Sequence, residues 1–173
     1  MILKRRSLLL PFAVLFSLMI GMSSCASAPN GRSEHGLEES LCGLKEPFVF
    51  WLWSRAAGSA DHSRALLAGN VEEVALTTVD GRRLAGYKLS PPGSAKPPAR
   101  VEGYLLVAQG NAMLADQIIS SFKSFARMGY DVYIFDYRGY GRSDGKRRLK
   151  AIVSDYREII AHLNGLSYPR HLY

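Results

Sequence analysis

The chain has 173 residues, of which 47% are hydrophobic and 21% charged, with a formal net charge of +7. This composition is typical of one globular domain and excludes a low-complexity or disordered chain. Two cysteines, Cys25 and Cys42, are too few for a disulfide framework, and their spacing matches no metal site. We therefore expect no metal and no cofactor.

The first 24 residues have the three-part layout of a secretory signal peptide. Met1–Arg6 is basic, Leu8–Ile20 is apolar, and small residues follow. The apolar run is about 13 residues long, which is too short to favour a membrane-spanning helix.

Met22–Cys25 resembles the lipobox of bacterial lipoproteins. That resemblance implies lipidation of Cys25, so the membrane would be a partner through a lipid anchor. Because Ala26 follows the cysteine, the resemblance favours an outer-membrane location facing the periplasm. Ordinary cleavage near Ala28 and an uncleaved anchor are the alternatives.

Residues 25–46 are small and polar and predict a flexible tether. The segment 47–70 follows and opens with the aromatic run Pro47–Trp53. Two interpretations of this run stay open: a short helix packed on the domain, or an aromatic anchor at a membrane interface, where Trp is favoured. Arg64–Leu67 has a helical pattern that ends at Gly69-Asn70.

The sheet-forming part begins at residue 71. Val71–Thr78 and Arg83–Ser90 are predicted strands, and Asp80-Gly81 between them is a hairpin turn signal. A strand at 102–108, a helix at 112–128, a strand at 129–135 and a helix at 149–163 then alternate, and Pro97-Pro98 belongs to the loop before them. This order predicts an α/β fold in which an antiparallel hairpin leads into a parallel sheet flanked by helices.

The stretch Gly129–Gly145 reads GYDVYIFDYRGYGRSDG. It resembles α/β-hydrolases, in particular the small serine hydrolases with a DYRGYGxSxG segment. Gln109-Gly110-Asn111 resembles the His-Gly-Asn turn of that group, and Tyr168–Tyr173 looks like the lead-in to its nucleophile strand. The resemblance covers 71–173 and implies an incomplete fold, truncated before the nucleophile elbow.

Complete members of the family are serine hydrolases that act on esters, thioesters or amides. The resemblance implies that the backbone N–H of Asn111 is an oxyanion donor and that Gly110 allows close approach of the backbone. It also implies that the Ser-His-Asp triad is absent from this chain. We expect no catalytic residue here, and a small acyl substrate only if a complete domain exists.

Gly141–Gly145 formally matches the nucleophile-elbow pattern G-x-S-x-G. An elbow serine follows its strand directly, whereas seven residues separate Phe135 from Ser143. We therefore interpret this segment as a structural loop, with the roles assigned to Asp136, Arg138, Gly139, Gly141 and Ser143.

The remaining motifs are weaker. The glycines fit neither a dinucleotide fingerprint nor a P-loop. The basic cluster at 146–150 has no interleaved aromatic residues, so we expect no nucleic-acid partner. The histidines show no catalytic or metal spacing; they are His35, His62, His162 and His171. The alternative to a broken hydrolase is a non-catalytic binding or structural lipoprotein.

Overall fold

The computed structural model describes residues 41, 43–93 and 101–166. The predicted signal peptide, Cys25, most of the tether and the strand expected at 168–173 lie outside the described residues. The same holds for His35, Cys42, Pro97-Pro98 and His171.

The aromatic run forms a helix, α1, at Lys45–Ala56, and one of its faces packs on the domain. Phe50 and Ala57 are buried in a cluster with Tyr140 and Ile152. A second helix, α2, spans His62–Leu66. Asp61 is its N-cap, and the Asp61 side chain accepts a hydrogen bond from the Ser63 N–H at 3.0 Å. The helical pattern predicted at 64–67 is thus real but starts two residues earlier.

Strands β1 (Val71–Thr77) and β2 (Arg83–Leu89) pair antiparallel, with Val71 opposite Leu89 and Thr77 opposite Arg83. The turn closes through a bond from the Gly81 N–H to the Thr78 carbonyl at 2.8 Å. Gly81 has a φ of 77°, a conformation that glycine adopts without the cost of a side chain. The predicted hairpin is confirmed.

Strands β3 (Gly103–Val107) and β4 (Tyr130–Phe135) lie side by side and parallel, with Gly103 opposite Tyr130. The sheet order is β1-β2-β4-β3, and β2 runs antiparallel to β4. The predicted fold class is therefore confirmed: a hairpin joined to the start of a parallel sheet.

The predicted single helix at 112–128 is wrong, because this segment is broken. It consists of α3 at Ala115–Ile118, a 3-10 turn at Ile119–Phe122 and α4 at Lys123–Arg127. Helix α3 starts late because Leu114 before it is extended. Ser120 and Ser121 lie in the 3-10 turn, and serine hydroxyls compete for helical backbone groups. Phe125, in α4, is 42% exposed.

Helix α5 spans Leu149–Asn164 and agrees with the prediction to one residue. Its buried face contains Ile152, Ile159 and Leu163, whereas Ile160 is exposed. This face covers one side of the sheet. The other side is covered by residues from α2, α3, the 3-10 turn and α4. β4 is buried from Asp131 onward because both of its faces are covered.

Among the described helices, none has the length and apolar character needed to traverse a bilayer.

Candidate functional site

Two loops leave the carboxyl ends of the neighbouring parallel strands β3 and β4. We call residues 108–114 the β3 loop and residues 136–148 the β4 loop. In open α/β sheets this edge is where ligands bind. Both loops therefore lie where a site is expected, and they differ in what their polar groups do.

The β3 loop is fixed at its two ends. The Tyr137 hydroxyl donates to the backbone carbonyl of Gln109. At the other end, the Leu114 N–H donates to Oε1 of Gln117 at 3.0 Å, and the Ala115 N–H donates to Oδ1 of Asp136 at 2.8 Å. The middle of the loop is consequently held from both sides.

Between these fixed ends, Gly110 and Asn111 are exposed to solvent. A β-carbon at position 110 would lie 3.2 Å from Sδ of Met113, so the missing side chain keeps this backbone open. Ala112 has a φ of +57°, and no other non-glycine residue in the described part of the chain has a positive φ. A residue held in this conformation is strained, and such strain is concentrated at functional sites.

Gln109 is the residue that stands where the family resemblance places a histidine. Its side chain is 3% exposed, and neither its amide oxygen nor its amide nitrogen has a hydrogen-bond partner within the described residues. Buried polar groups in native proteins are nearly always paired. The position therefore has unused hydrogen-bonding capacity next to the exposed backbone.

The β4 loop, in contrast, is internally bonded. Arg138 is 3% exposed and pairs with two carboxylates. Its Nε donates to Oδ2 of Asp155 at 3.0 Å, and its Nη1 lies 2.5 Å from Oδ2 of Asp80. The hydrogen bond from Arg138 is the main reason that the pKa of Asp80 is lowered to about 2. This arginine ties the loop to α5 and to the hairpin turn.

Asp136 begins the β4 loop and joins it to α3. Burial raises the pKa of its carboxyl to about 6, opposed by the N–H groups of Ala115 and Arg142, which donate to it. A β-carbon on Gly141 would lie 2.1 Å from Oδ2 of this carboxylate, and the φ of Gly141 is +50°. Gly139 has a φ of +73°. The glycines allow the loop to close around Asp136.

Ser143 is buried, and its hydroxyl makes hydrogen bonds to backbone groups of β2 and of the β4 loop. Its Oγ accepts a hydrogen bond from the Ala85 N–H at 2.9 Å and donates to the Asp136 carbonyl at 2.8 Å. Of the histidines in the described ranges, His62 pairs with Glu73 at 2.8 Å and His162 is exposed on α5. No hydrogen bond from a histidine to this hydroxyl occurs there.

Sequence reasoning missed three residues of this edge: Tyr137, Asp80 and Asp155. Tyr137 lies inside the DYRGYG segment and could have been found there as a side chain near the neighbouring strand's loop. The two aspartates are 58 and 17 residues away from Arg138 in the chain. Only the fold brings them together, and no local pattern marks them.

The comparisons with known proteins agree with this architecture. Residues 99–171 match the family model described as serine aminopeptidase, S33. The alpha-beta hydrolase of Vibrio vulnificus is similar in structure, with a TM-score of 0.52 and 23% identity over 73% of this chain and 44% of that one. The chain has an α/β-hydrolase fold, in part.

Two further relatives show the same partial coverage. An uncharacterised protein of Mycobacterium tuberculosis is 27% identical over 127 residues, which are 69% of this chain and 43% of that protein. An esterase of Pyrococcus furiosus matches with a TM-score of 0.49 and 18% identity over 63% of this chain and 41% of that one. The chain spans less than half the length of the curated relatives it matches.

Proposed function

We propose that this chain supplies the oxyanion-binding part of a serine hydrolase that cleaves an ester, thioester or amide. The observation that carries the proposal is the exposed pair Gly110 and Asn111 at the carboxyl edge of a parallel strand pair, in a loop whose two ends are hydrogen-bonded. The nucleophile, the acid and the histidine would come from residues that follow Tyr173 in a complete gene product. The catalytic step is acyl transfer to a serine hydroxyl.

In this proposal the β3 loop stabilises the negative charge that develops on the substrate's carbonyl oxygen. When a serine oxygen attacks the acyl carbon, the carbonyl oxygen becomes an oxyanion. A fixed backbone N–H at Asn111 would donate a hydrogen bond to it, and a donor of this kind stabilises the transition state by roughly 3–4 kcal/mol. The bonds at Gln109, Leu114 and Ala115 hold the loop in advance, so little reorganisation is needed at the moment of reaction.

The test removes one hydrogen atom from the backbone. In the complete gene product that contains these residues, Asn111→Pro deletes the N–H, and Asn111→Ala keeps it as the matched control. With a short-chain acyl ester as substrate, we expect Asn111→Pro to lower kcat by about 10²–10³-fold, and Asn111→Ala to change it little. Unfolding curves of both variants check that the fold is kept.

Two results would contradict the proposal. Equal activity of the two variants would show that this N–H is not the donor. A complete gene product without hydrolysis of any acyl ester, thioester or amide would favour the alternative, a non-catalytic binding or structural lipoprotein. Residues 1–173 alone are expected to hydrolyse none of these substrates.

The location is a second part of the proposal. We infer from Met22–Cys25 that Cys25 is acylated and anchors the protein in the outer membrane, facing the periplasm. Acyl chains bind bilayers because each buried methylene contributes about 0.8 kcal/mol. Mass spectrometry of the mature N-terminus should find a lipid-modified Cys25, with Cys25→Ser as the control. An unmodified cysteine at this position would refute the anchor.

A further inference from the structure

Helix α1 has two opposite faces, and within the described part of the chain only one of them packs on the domain. Phe50 and Ala57 are buried, and Glu46, the only acidic residue of α1, is buried as well and accepts a hydrogen bond from the Leu149 N–H at 3.0 Å. At 3.6 residues per turn, these three positions lie on one side of the helix. This side is the contact with the rest of the protein.

The other side is apolar and exposed. Leu44, Phe48, Trp51 and Leu52 are 96%, 54%, 46% and 48% exposed, and they recur at helical spacing. The Phe48 and Trp51 rings stack at 6.0 Å between centroids. We call these four residues the α1 patch. Apolar surface grouped in this way marks an interaction site.

Arg55 gives the patch a positive edge. Its guanidinium lies 5.8 Å from the centre of the Trp51 ring, and the carboxylate of α1 points to the opposite, buried side. Aromatic residues and leucine on one face with a cation beside them are the composition of helices that lie in a bilayer interface. A cation there complements the phosphates of lipid headgroups.

The position of α1 in the chain favours the same partner. Lys45 lies 20 positions after Cys25, the proposed lipidation site, and a chain of that length reaches about 70 Å at most. The 12 residues of α1 rise only about 18 Å, which is too short to cross a bilayer. A helix near a membrane, too short to cross it and apolar on its outer face, can rest in the plane of the interface.

We propose that the α1 patch inserts into the headgroup region of an anionic bilayer and sets the orientation of the domain on it. Leu44, Phe48, Trp51 and Leu52 enter the interface, while Phe50 and Trp53 stay on the domain side. The proposal goes beyond the hydrolase function, because it concerns a surface separate from the β3 loop. The nearness of α1 to a bilayer rests on the acylation proposed for Cys25, but the α1 patch is expected to bind lipid without the acyl chain.

The two tryptophans of the chain permit a test with a built-in control. Trp53→Phe leaves Trp51 as the sole tryptophan, on the exposed side, and Trp51→Phe leaves Trp53, which is half-buried and in edge contact with Phe50 at 5.5 Å. Each variant is prepared from residue 25 onward, without the predicted signal peptide and with Cys25→Ser in place of the acylated cysteine, and is mixed with vesicles of phosphatidylethanolamine and phosphatidylglycerol. Part of the lipid is brominated on its acyl chains and quenches tryptophan on contact.

The expected result is that Trp51 loses most of its emission to brominated lipid and shifts to the blue, while Trp53 is quenched much less. Two outcomes would overturn the proposal. If iodide dissolved in the water still quenches the fluorescence of Trp51 when vesicles are present, nothing covers the patch. If Trp51 is shielded from iodide but not quenched by brominated lipid, a protein surface covers it, either a second copy or another part of the gene product.

A pair of double variants checks the binding itself. Phe48→Ser with Leu52→Ser should lower vesicle binding several-fold in a sedimentation assay. Leu66→Ser with Leu67→Ser, which removes comparably exposed leucines at α2, should leave binding unchanged. Equal loss in both would show that general surface hydrophobicity, and not the α1 patch, binds the lipid. Neither assay depends on hydrolysis, so their failure and that of the proposed function are distinguishable.

Discussion

The β3 loop and the β4 loop leave adjacent strands at the same edge of the sheet, but they use their residues in opposite ways. The β4 loop contains Asp136, Arg138 and Ser143, and each is hydrogen-bonded within the protein. The β3 loop presents an exposed glycine and asparagine, and the buried amide of Gln109 has no partner in the described part of the chain. The ionisable and hydroxyl side chains of the β4 loop are used to hold the structure, whereas Gly110 and Asn111 of the β3 loop remain accessible to a ligand.

This difference explains why the G-x-S-x-G match is misleading here. The Ser143 hydroxyl accepts a hydrogen bond from the Ala85 N–H and donates one to the Asp136 carbonyl. These two bonds hold β2 against the β4 loop. A nucleophile needs an exposed hydroxyl beside a base. If the β4 loop is structural and the β3 loop is not, substitutions in the two loops should differ in their effect on stability.

The largest effect is expected from Arg138→Ala. The substitution leaves the buried Asp155 without its partner, and breaking a buried pair in this way lowers the free energy of unfolding by about 3–5 kcal/mol. Arg142→Ala is the milder comparison, because Arg142 pairs with the exposed Glu73 at 2.7 Å and donates to the Tyr87 hydroxyl at 3.1 Å. Its loss should lower that free energy by about 1–2 kcal/mol. Urea unfolding measures both. Similar losses in the two variants would mean that the buried Arg138–Asp155 pair contributes no more to stability than an exposed pair.

Asp136 should give the protein a pH dependence of defined sign. Its pKa rises from 3.8 to about 6 on folding, so between these values the folded protein binds more protons than the unfolded chain. The free energy of unfolding should therefore fall as pH rises from about 4 to about 6, by about 3 kcal/mol. This slope should be much smaller in Asp136→Asn, where Asp155, whose pKa is also raised by burial, accounts for the remainder.

The control for that slope is Asp80→Asn. The pKa of Asp80 is lowered to about 2, so its contribution is present above about pH 4 and is lost as pH falls towards 2. This variant should keep the slope between pH 4 and 6. If Asp136→Asn kept it as well, the buried carboxyl would not be its source.

A matched pair of glycine substitutions compares the two loops directly. In Gly141→Ala the new methyl group would meet the Asp136 carboxylate at 2.1 Å, at a φ that disfavours alanine, and we expect the free energy of unfolding to fall by about 2–3 kcal/mol. Gly110→Ala meets only the flexible end of Met113, and we expect a loss of less than about 1 kcal/mol. Thermal unfolding of the two variants is sufficient to decide. Equal destabilisation would remove the contrast between the loops.

The sheet could be predicted from the sequence because its signals are local. The Asp80-Gly81 turn and the β-branched and aromatic run at 131–135 each act within a few residues, and the order of elements then restricts the topology. The helix at 112–128 could not be predicted correctly, since the left-handed Ala112 and the extended Leu114 delay its start. The Ala115 N–H that follows is bonded to Asp136 in the β4 loop, a contact 21 residues away in the chain.

The candidate site could be predicted only in part, because some of its contacts also join residues that are distant in the chain. Gly110 and Asn111 were found through a family resemblance, because a backbone donor has no side-chain signature of its own. Asp80 was interpreted as a turn former, which it is, but its second role as a partner of Arg138 depends on contacts 58 residues apart. Long-range ion pairs of this kind appear only once the fold is known.

The contrast between the loops is tested most directly by labelling the complete gene product with a fluorophosphonate, which reacts with activated serine hydroxyls, and mapping the labelled peptide by mass spectrometry. We predict that Ser143 stays unmodified, because its hydroxyl is buried and bonded to the backbone of β2 and of Asp136. A fluorophosphonate adduct on Ser143 that disappears in Ser143→Ala would contradict this prediction, because it would place the nucleophile in the β4 loop, whose side chains we interpret as structural.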